Sequence, residues 1–225
     1  MMWLMPSVNR VIVIGRGRLG GAVAARLAER GWLSETGPAD LVLLCVPDAA
    51  IAEVAQGVPR GPWVAHVSGA TPLSSLTPHT ARFSLHPLQT FTRTRGADQL
   101  DGAWAAVSAE SAEGRATAYA LAEVLGLRPF DLADDRRVIY HAGAVIASNY
   151  LVTLHRAAVR ALAAAGAPPE ALLPLMQRTM ENGFELTGPI ARGDWAVVEA
   201  HLAALRRELP DLEPMYRALA EATTV

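Results

Sequence analysis

The segment Arg10–Gly20, RVIVIGRGRLG, narrows the fold more than any other part of the chain. Val11–Ile14 is a run of β-branched residues, which reads as a buried strand. It ends in Gly15-Arg16-Gly17-Arg18-Leu19-Gly20, a G-x-G-x-x-G turn. Each glycine of such a turn has its own task. The first makes the tight bend, the second lets a pyrophosphate approach the backbone, and the third lets a helix pack on the strand. The helix itself is legible, because Leu19, Val23, Ala24, Leu27 and Ala28 share one face of Leu19–Arg30. Gly31 stands where a helix C-terminal glycine belongs. Alone the glycine string is weak, but between such a strand and such a helix it is a strong signal. Free N–H groups and partial positive charge at the helix start would face the phosphates. Gly15, Arg16, Gly17, Arg18, Leu19 and Gly20 are therefore the candidate cofactor contacts.

The pattern continues with short apolar runs and helical stretches. Leu41–Val46 and Val64–Val67 read as strands, ending at Pro47-Asp48 and Ser68-Gly69-Ala70. Asp48 can cap a helix starting near Ala49. Residues 71–80 form a polar, proline-punctuated connection. Ala81–Leu85, Trp104–Ser108 and Leu127–Phe130 read as further strands, with a helix at Ala112–Leu125. From about Asp134 only helices are expected: Val138–Ala165, Pro169–Met180 and Asp194–Glu208, the last with Asp194 as N-cap. The order predicts an α/β domain over residues 1–132 and an all-α domain over 133–225.

One stretch is too short for the complete architecture. A full dinucleotide-binding half places a second strand after the first helix, ending in an acid roughly 20 residues past the turn that holds the ribose hydroxyl. Here only Trp32–Asp40, WLSETGPAD, separates Gly31 from the next apolar strand. Asp40 falls near the required spacing but precedes a strand instead of ending one, and Glu35 is the other acid available. The first helix is expected to cross directly to the strand at 41–46, with the adenosine-side strands absent or vestigial. The turn then has two readings. Either it still holds a pyrophosphate, with Arg16 and Arg18 adding charge, or its glycines only pack the turn.

Composition excludes several classes. The net charge of −2 is spread along the chain, which argues against nucleic acid or a membrane surface as partner. No run approaches membrane-spanning length, and the opening MMWLMPSVN lacks the basic leader of a targeting signal, so a cytoplasmic location is expected. The single cysteine, Cys45, sits in an apolar run and reads as an inert buried thiol. All 20 basic residues are arginine, so Schiff-base chemistry and a lysine general acid are excluded. The histidines show no metal-ligand spacing, and no metal site is expected.

GRGRLG at 15–20, DLVLLCVPDAAI at 40–51, HVSGA at 66–70, SLHPLQTF at 84–91, YHAGAVIASNYL at 140–151 and LTGPIARGD at 186–194 carry a whole-chain resemblance. The chain resembles a bacterial family of Rossmann-like proteins assigned as NADP-dependent oxidoreductases. Their C-terminal half is a domain of unknown function related to pyrroline-5-carboxylate reductase and the 6-phosphogluconate-dehydrogenase-like enzymes. The resemblance implies NADP or NAD as cofactor, a homodimer whose helical domains interlock, and a cleft where nicotinamide meets a small-molecule substrate. It also places Asn149 where related hydroxyacid dehydrogenases carry a carbonyl-handling asparagine. Their neighbouring lysine has no counterpart here.

Ligands gather at strand ends in such a sheet, which makes Pro47 and Ser68 candidate cofactor contacts, although Ser68 reads equally as a turn hydroxyl. His86, just past a strand, could hydrogen-bond a substrate or pin its loop. Tyr140 and His141 open the long helix, and His141, Ser148 and Asn149 recur near one face of it. With no lysine present, the proton for a reduction would come from His141, His86, Tyr140 or water, with His141 favoured. Arg192 and Ser148 are candidate substrate contacts; Arg192 could bind a carboxylate bidentately or pair with an acid across a dimer contact. Two functions remain open: an NAD(P)-dependent oxidoreductase of a small carboxylate-bearing substrate, or a non-catalytic dimer binding a small ligand or a protein.

Overall fold

Strands β1 (Val11–Ile14), β2 (Leu41–Leu44), β3 (Trp63–His66), β4 (Arg82–Pro87), β5 (Trp104–Ala109) and β6 (Arg128–Asp131) form one sheet in sequential order. The computed structural model describes residues 8–223, so most of the opening segment expected to lack a targeting signal lies outside the described residues. β1 to β4 run parallel, β5 is antiparallel to β4, and β6 is parallel to β5. Helices cover both faces, which is why β2 is buried at every position. Its side chains alternate between two cores. Leu41 and Leu43 pack with α1 (Arg18–Glu29) and α3 (Ala112–Leu125), whereas Val42 and Leu44 pack with α2 (Ile51–Gly57) and the 3-10 turn Leu73–Leu76. Ser111 caps α3 by accepting the Gly114 N–H, 3.0 Å away.

β1 is the edge strand. Among the described residues, all that pairs with its outer side is a single parallel bridge from Val11 to Leu33. Val11 N–H donates to the Trp32 carbonyl at 2.8 Å, and Ser34 N–H donates to the Val11 carbonyl at 2.9 Å. The second strand of a complete Rossmann half is thus reduced to one residue, and the chain returns across β1 to form β2. Asp40 is spoken for at the other end of the sheet. It accepts a hydrogen bond from the Arg10 guanidinium at 3.1 Å and from the backbone N–H groups of Asn9 and Arg10, just before β1 and β2 begin. That position removes it as the ribose acid.

The chain divides into two compact units, Met1–Ile146 and Ala147–Val225. The first also contains α4 (Arg137–Val145). The second contains α5 (Leu151–Ala164), α6 (Leu172–Glu181), α7 (Trp195–Glu208) and α8 (Glu213–Ala222). Its described core is small, Val198, Leu202 and Ala220 with Ile190 and Tyr216 packed against them.

Three local expectations need correction. The helix expected over 138–165 is interrupted by a π-turn at Ile146–Tyr150. Helix α8 carries a charged surface with a narrow apolar face and was not anticipated. Asp48 and Asp194 make no capping hydrogen bond; Asp48 instead accepts one from Ser68. No described helix is long and apolar enough to cross a membrane.

Candidate functional site

The carboxyl ends of β1 to β4 lie along one edge of the sheet, and the glycine turn opens it. Gly15 has φ +96°, and a Cβ there would stand 2.5 Å from the Cys45 carbonyl oxygen. At Gly20 a Cβ would collide with the Gly15 carbonyl and stand 2.8 Å from Cys45 Cβ. Both glycines are demanded by the fold itself. Gly17 is different: its φ is −67°, and a Cβ there would meet nothing within 4 Å. It is exposed at the N-terminus of α1, where no side chain among the described residues caps the free N–H groups. Packing explains the first and third glycines but leaves the second without a reason internal to the fold.

The residues around the turn carry charge. Arg16 Nη2 donates to both carboxylate oxygens of Glu35 at 3.0 Å, and Arg18 is exposed. Cys45 lies at the end of β2 beneath Gly20, and burial pushes its thiol up to about 12, which makes it inert. Pro47 is exposed just beyond. Ser68, after β3, donates to Asp48 Oδ2 at 2.8 Å and accepts the N–H groups of Ala70 and Thr71. Its hydroxyl closes a turn and joins two strand ends.

Next along the edge are two imidazoles over Gly69. A Cβ on Gly69 would stand 2.6 Å from His141 Cδ2 and 2.9 Å from His86 Cε1 and Nε2, so only glycine admits both rings. His86 is the next-to-last residue of β4, His141 lies on α4, and their ring centroids are 6.0 Å apart, edge to face. Tyr140 Oη lies 2.8 Å from His86 Nδ1. Burial, then the neighbouring His141 and Arg137, lower His86 to about 4, while burial raises Tyr140 to about 12. At neutral pH both are uncharged, and the phenol donates to Nδ1 when that nitrogen is unprotonated.

Arg137 holds this corner together. It is 1% exposed and donates to Ser84 Oγ at 2.5 Å, to Ser108 Oγ at 2.9 Å and to the Ser68 carbonyl. Its Nε has no hydrogen-bond acceptor among the described residues, and Asp134 Oδ1 stands 3.8 Å away. One guanidinium thereby ties α4 to β4, to β5 and to the loop beneath the two histidines.

The remaining candidates lie in the second unit. Asn149 is exposed and Ser148 half-buried within the π-turn, with Ser148 Oγ donating to Asn149 Oδ1 at 3.3 Å. Arg192 donates to the Thr187 carbonyl at 2.5 Å, bracing its own turn. No cluster able to hold a metal ion occurs among the described residues. The sequence marks Gly69 only as strand-end backbone beside Ser68, and Arg137 only as one of two adjacent arginines in a charged run. Nothing local marks the arginine that turns inward.

Residues 103–223 match the model of a domain of unknown function, DUF2520. The chain belongs to this family. Among curated proteins nothing matches the DUF2520 chain. Among solved structures it is similar to a Bacteroides fragilis protein provisionally named an NADP oxidoreductase, at 24% identity and TM-score 0.81, covering 96% of this chain and 98% of that one. A Thermotoga maritima protein is 24% identical with TM-score 0.74, covering 94% and 96%. Plasmodium falciparum pyrroline carboxylate reductase, solved with NADP bound, is 11% identical with TM-score 0.59, covering 98% and 97%. At these identities the likeness establishes the fold, a Rossmann-like domain followed by a helical region.

Proposed function

We propose that the protein is an NAD(P)-dependent oxidoreductase acting on a small carboxylate-bearing substrate. The observation that carries this reading is Gly17. A glycine free to be alanine as far as the fold is concerned, set at an uncapped helix start, is accounted for by a ligand approaching the backbone. The free N–H groups of the first turn of α1 would hold the pyrophosphate, and the ends of β2 and β3 would line its path. When bound, the dinucleotide supplies or accepts a hydride.

The chain's own residues would handle the proton. His141 is the proposed acid, donating to the oxygen or nitrogen that receives the electron pair as hydride reaches carbon. His86 stays neutral beside it, chiefly because burial disfavours its charged form, with the neighbouring His141 and Arg137 adding to that. Tyr140 and Arg137 fix the positions of His86 and the Ser68–Gly69 loop. The test is oxidation of reduced nicotinamide in the presence of imines and 2-keto acids, followed by absorbance. Turnover lost in His141→Gln, with dinucleotide affinity retained, supports the assignment; unchanged turnover in that variant removes it.

One observation favours the non-catalytic alternative, the reduction of the second strand to the Leu33 bridge. That loss weakens contact with adenosine but leaves the pyrophosphate turn whole, and a purely structural turn has no need of Gly17.

The helical unit is proposed to pair with a second copy. It leaves Phe184 70%, Leu175 62% and Leu186 62% exposed, and α5 buries none of its residues. Apolar side chains exposed in such number mark an interface.

A further inference from the structure

The acid that would read the adenosine ribose is identifiable although its strand is nearly gone. Trp32–Ser34 is held to the outer edge of β1 by two main-chain hydrogen bonds, in the parallel sense and position of a second strand. Glu35 is the next residue, so it stands where that strand ends. Counted from Gly15, the first glycine of the turn, it stands at roughly the 20-residue spacing of the ribose-binding acid. Its carboxylate also reaches the turn, both oxygens lying 3.0 Å from Nη2 of Arg16, the residue between the first two glycines. Asp40, the competing acid, is bound to Arg10 at the amino-terminal ends of β1 and β2, away from the glycine turn.

We infer that Glu35 sets cofactor choice, and that this chain takes the dinucleotide with a free ribose 2′-hydroxyl in preference to its 2′-phosphorylated form. The inference rests on the oxidoreductase reading above. A 2′-hydroxyl can donate to the Glu35 carboxylate without disturbing the Arg16 pair. A 2′-phosphate brings negative charge against that carboxylate and gains Arg16 only by pulling it away from Glu35. Arg18, the other cation of the turn, lies on the first residue of α1 and not on the vestigial strand. The preference runs opposite to the NADP in the name of the Bacteroides fragilis protein and in the Plasmodium falciparum structure, and the acid at this one position accounts for it.

The experiment is titration of the full chain and of Glu35→Gln with NADH and with NADPH, followed by nicotinamide fluorescence. Glu35 is exposed, and equal melting temperatures of the two unliganded proteins verify that the variant is folded. The wild type should bind NADH about tenfold or more tighter than NADPH, and the variant should bring the ratio within about threefold, mainly by tightening NADPH. A wild-type preference for NADPH, equal affinities, or an unchanged ratio in the variant overturns the inference while leaving the oxidoreductase reading intact. Failure of both nucleotides to bind the wild type overturns both.

Discussion

Replacing Gly17 by alanine separates the two explanations of the glycine turn. The new methyl would meet no atom within 4 Å, and φ of −67° suits alanine. Alanine is a poorer N-cap than glycine by up to about 1 kcal/mol, while its smaller unfolded-state entropy returns about 0.4–1 kcal/mol. The net change in stability is therefore within about 1 kcal/mol, a melting shift of at most about 4 °C for a chain of this size. Binding should respond quite differently. A methyl above the helix start keeps the pyrophosphate from the N–H groups, and charge-assisted hydrogen bonds are worth about 1.5–3 kcal/mol each. Losing the equivalent of about 3 kcal/mol weakens affinity about 100-fold. Gly20→Ala is the control with the opposite signature. Its Cβ would strike the Gly15 carbonyl, a backbone atom that cannot rotate aside, so a loss of about 3 kcal/mol or more in stability is expected. Thermal melts and calorimetric titration of both variants measure the two quantities. A Gly17→Ala protein that binds dinucleotide as tightly as wild type would refute the reasoning.

Gly69→Ala should drive the two imidazoles off their positions, since the Cβ would stand 2.6 Å from His141 and 2.9 Å from His86. It should cost about 1–3 kcal/mol in stability and about 100-fold in turnover, as misplacement of catalytic groups does; wild-type turnover would remove these histidines from the reaction. Burial lowers His86 from 6.5 to about 4 and His66 from 6.5 to about 3, so both stay neutral in the folded protein while the unfolded chain protonates. Their contribution is fully present above about pH 6.5 and is lost as pH falls toward 4 and then 3, roughly 3 kcal/mol from His86 alone. Denaturant melts between pH 7 and pH 4 that show no loss would contradict this. Light scattering should report the mass of two chains, and Phe184→Glu should halve it; a monomeric wild type rules out the second copy as the partner of the helical unit.

Where the sequence was readable, local chemistry and long-range packing agreed. Val11–Ile14, the three glycines and the apolar face of α1 each require the others, and all appear where the pattern places them. The short Trp32–Asp40 segment likewise announced a missing strand, because no nine residues can form a strand, a helix and a strand. The choice between Glu35 and Asp40 was not legible. It depends on which backbone pairs with Val11, a contact between distant residues. Arg137 was hidden for the same reason: its partners Ser68, Ser84 and Ser108 come from three places in the chain and meet only in the folded sheet. The π-turn at Ile146–Tyr150 interrupts a sequence whose composition suits an unbroken helix. Periodicity cannot register one inserted residue per turn.

The central claim is that a dinucleotide lies on the glycine turn, and amide chemical shifts test it residue by residue. On titration with NADH, the account predicts shifts concentrated at Arg16–Gly20, at Glu35 and at the strand ends around Pro47 and Ser68. Absence of shifts at saturating nucleotide, or shifts confined to other parts of the chain, would contradict it.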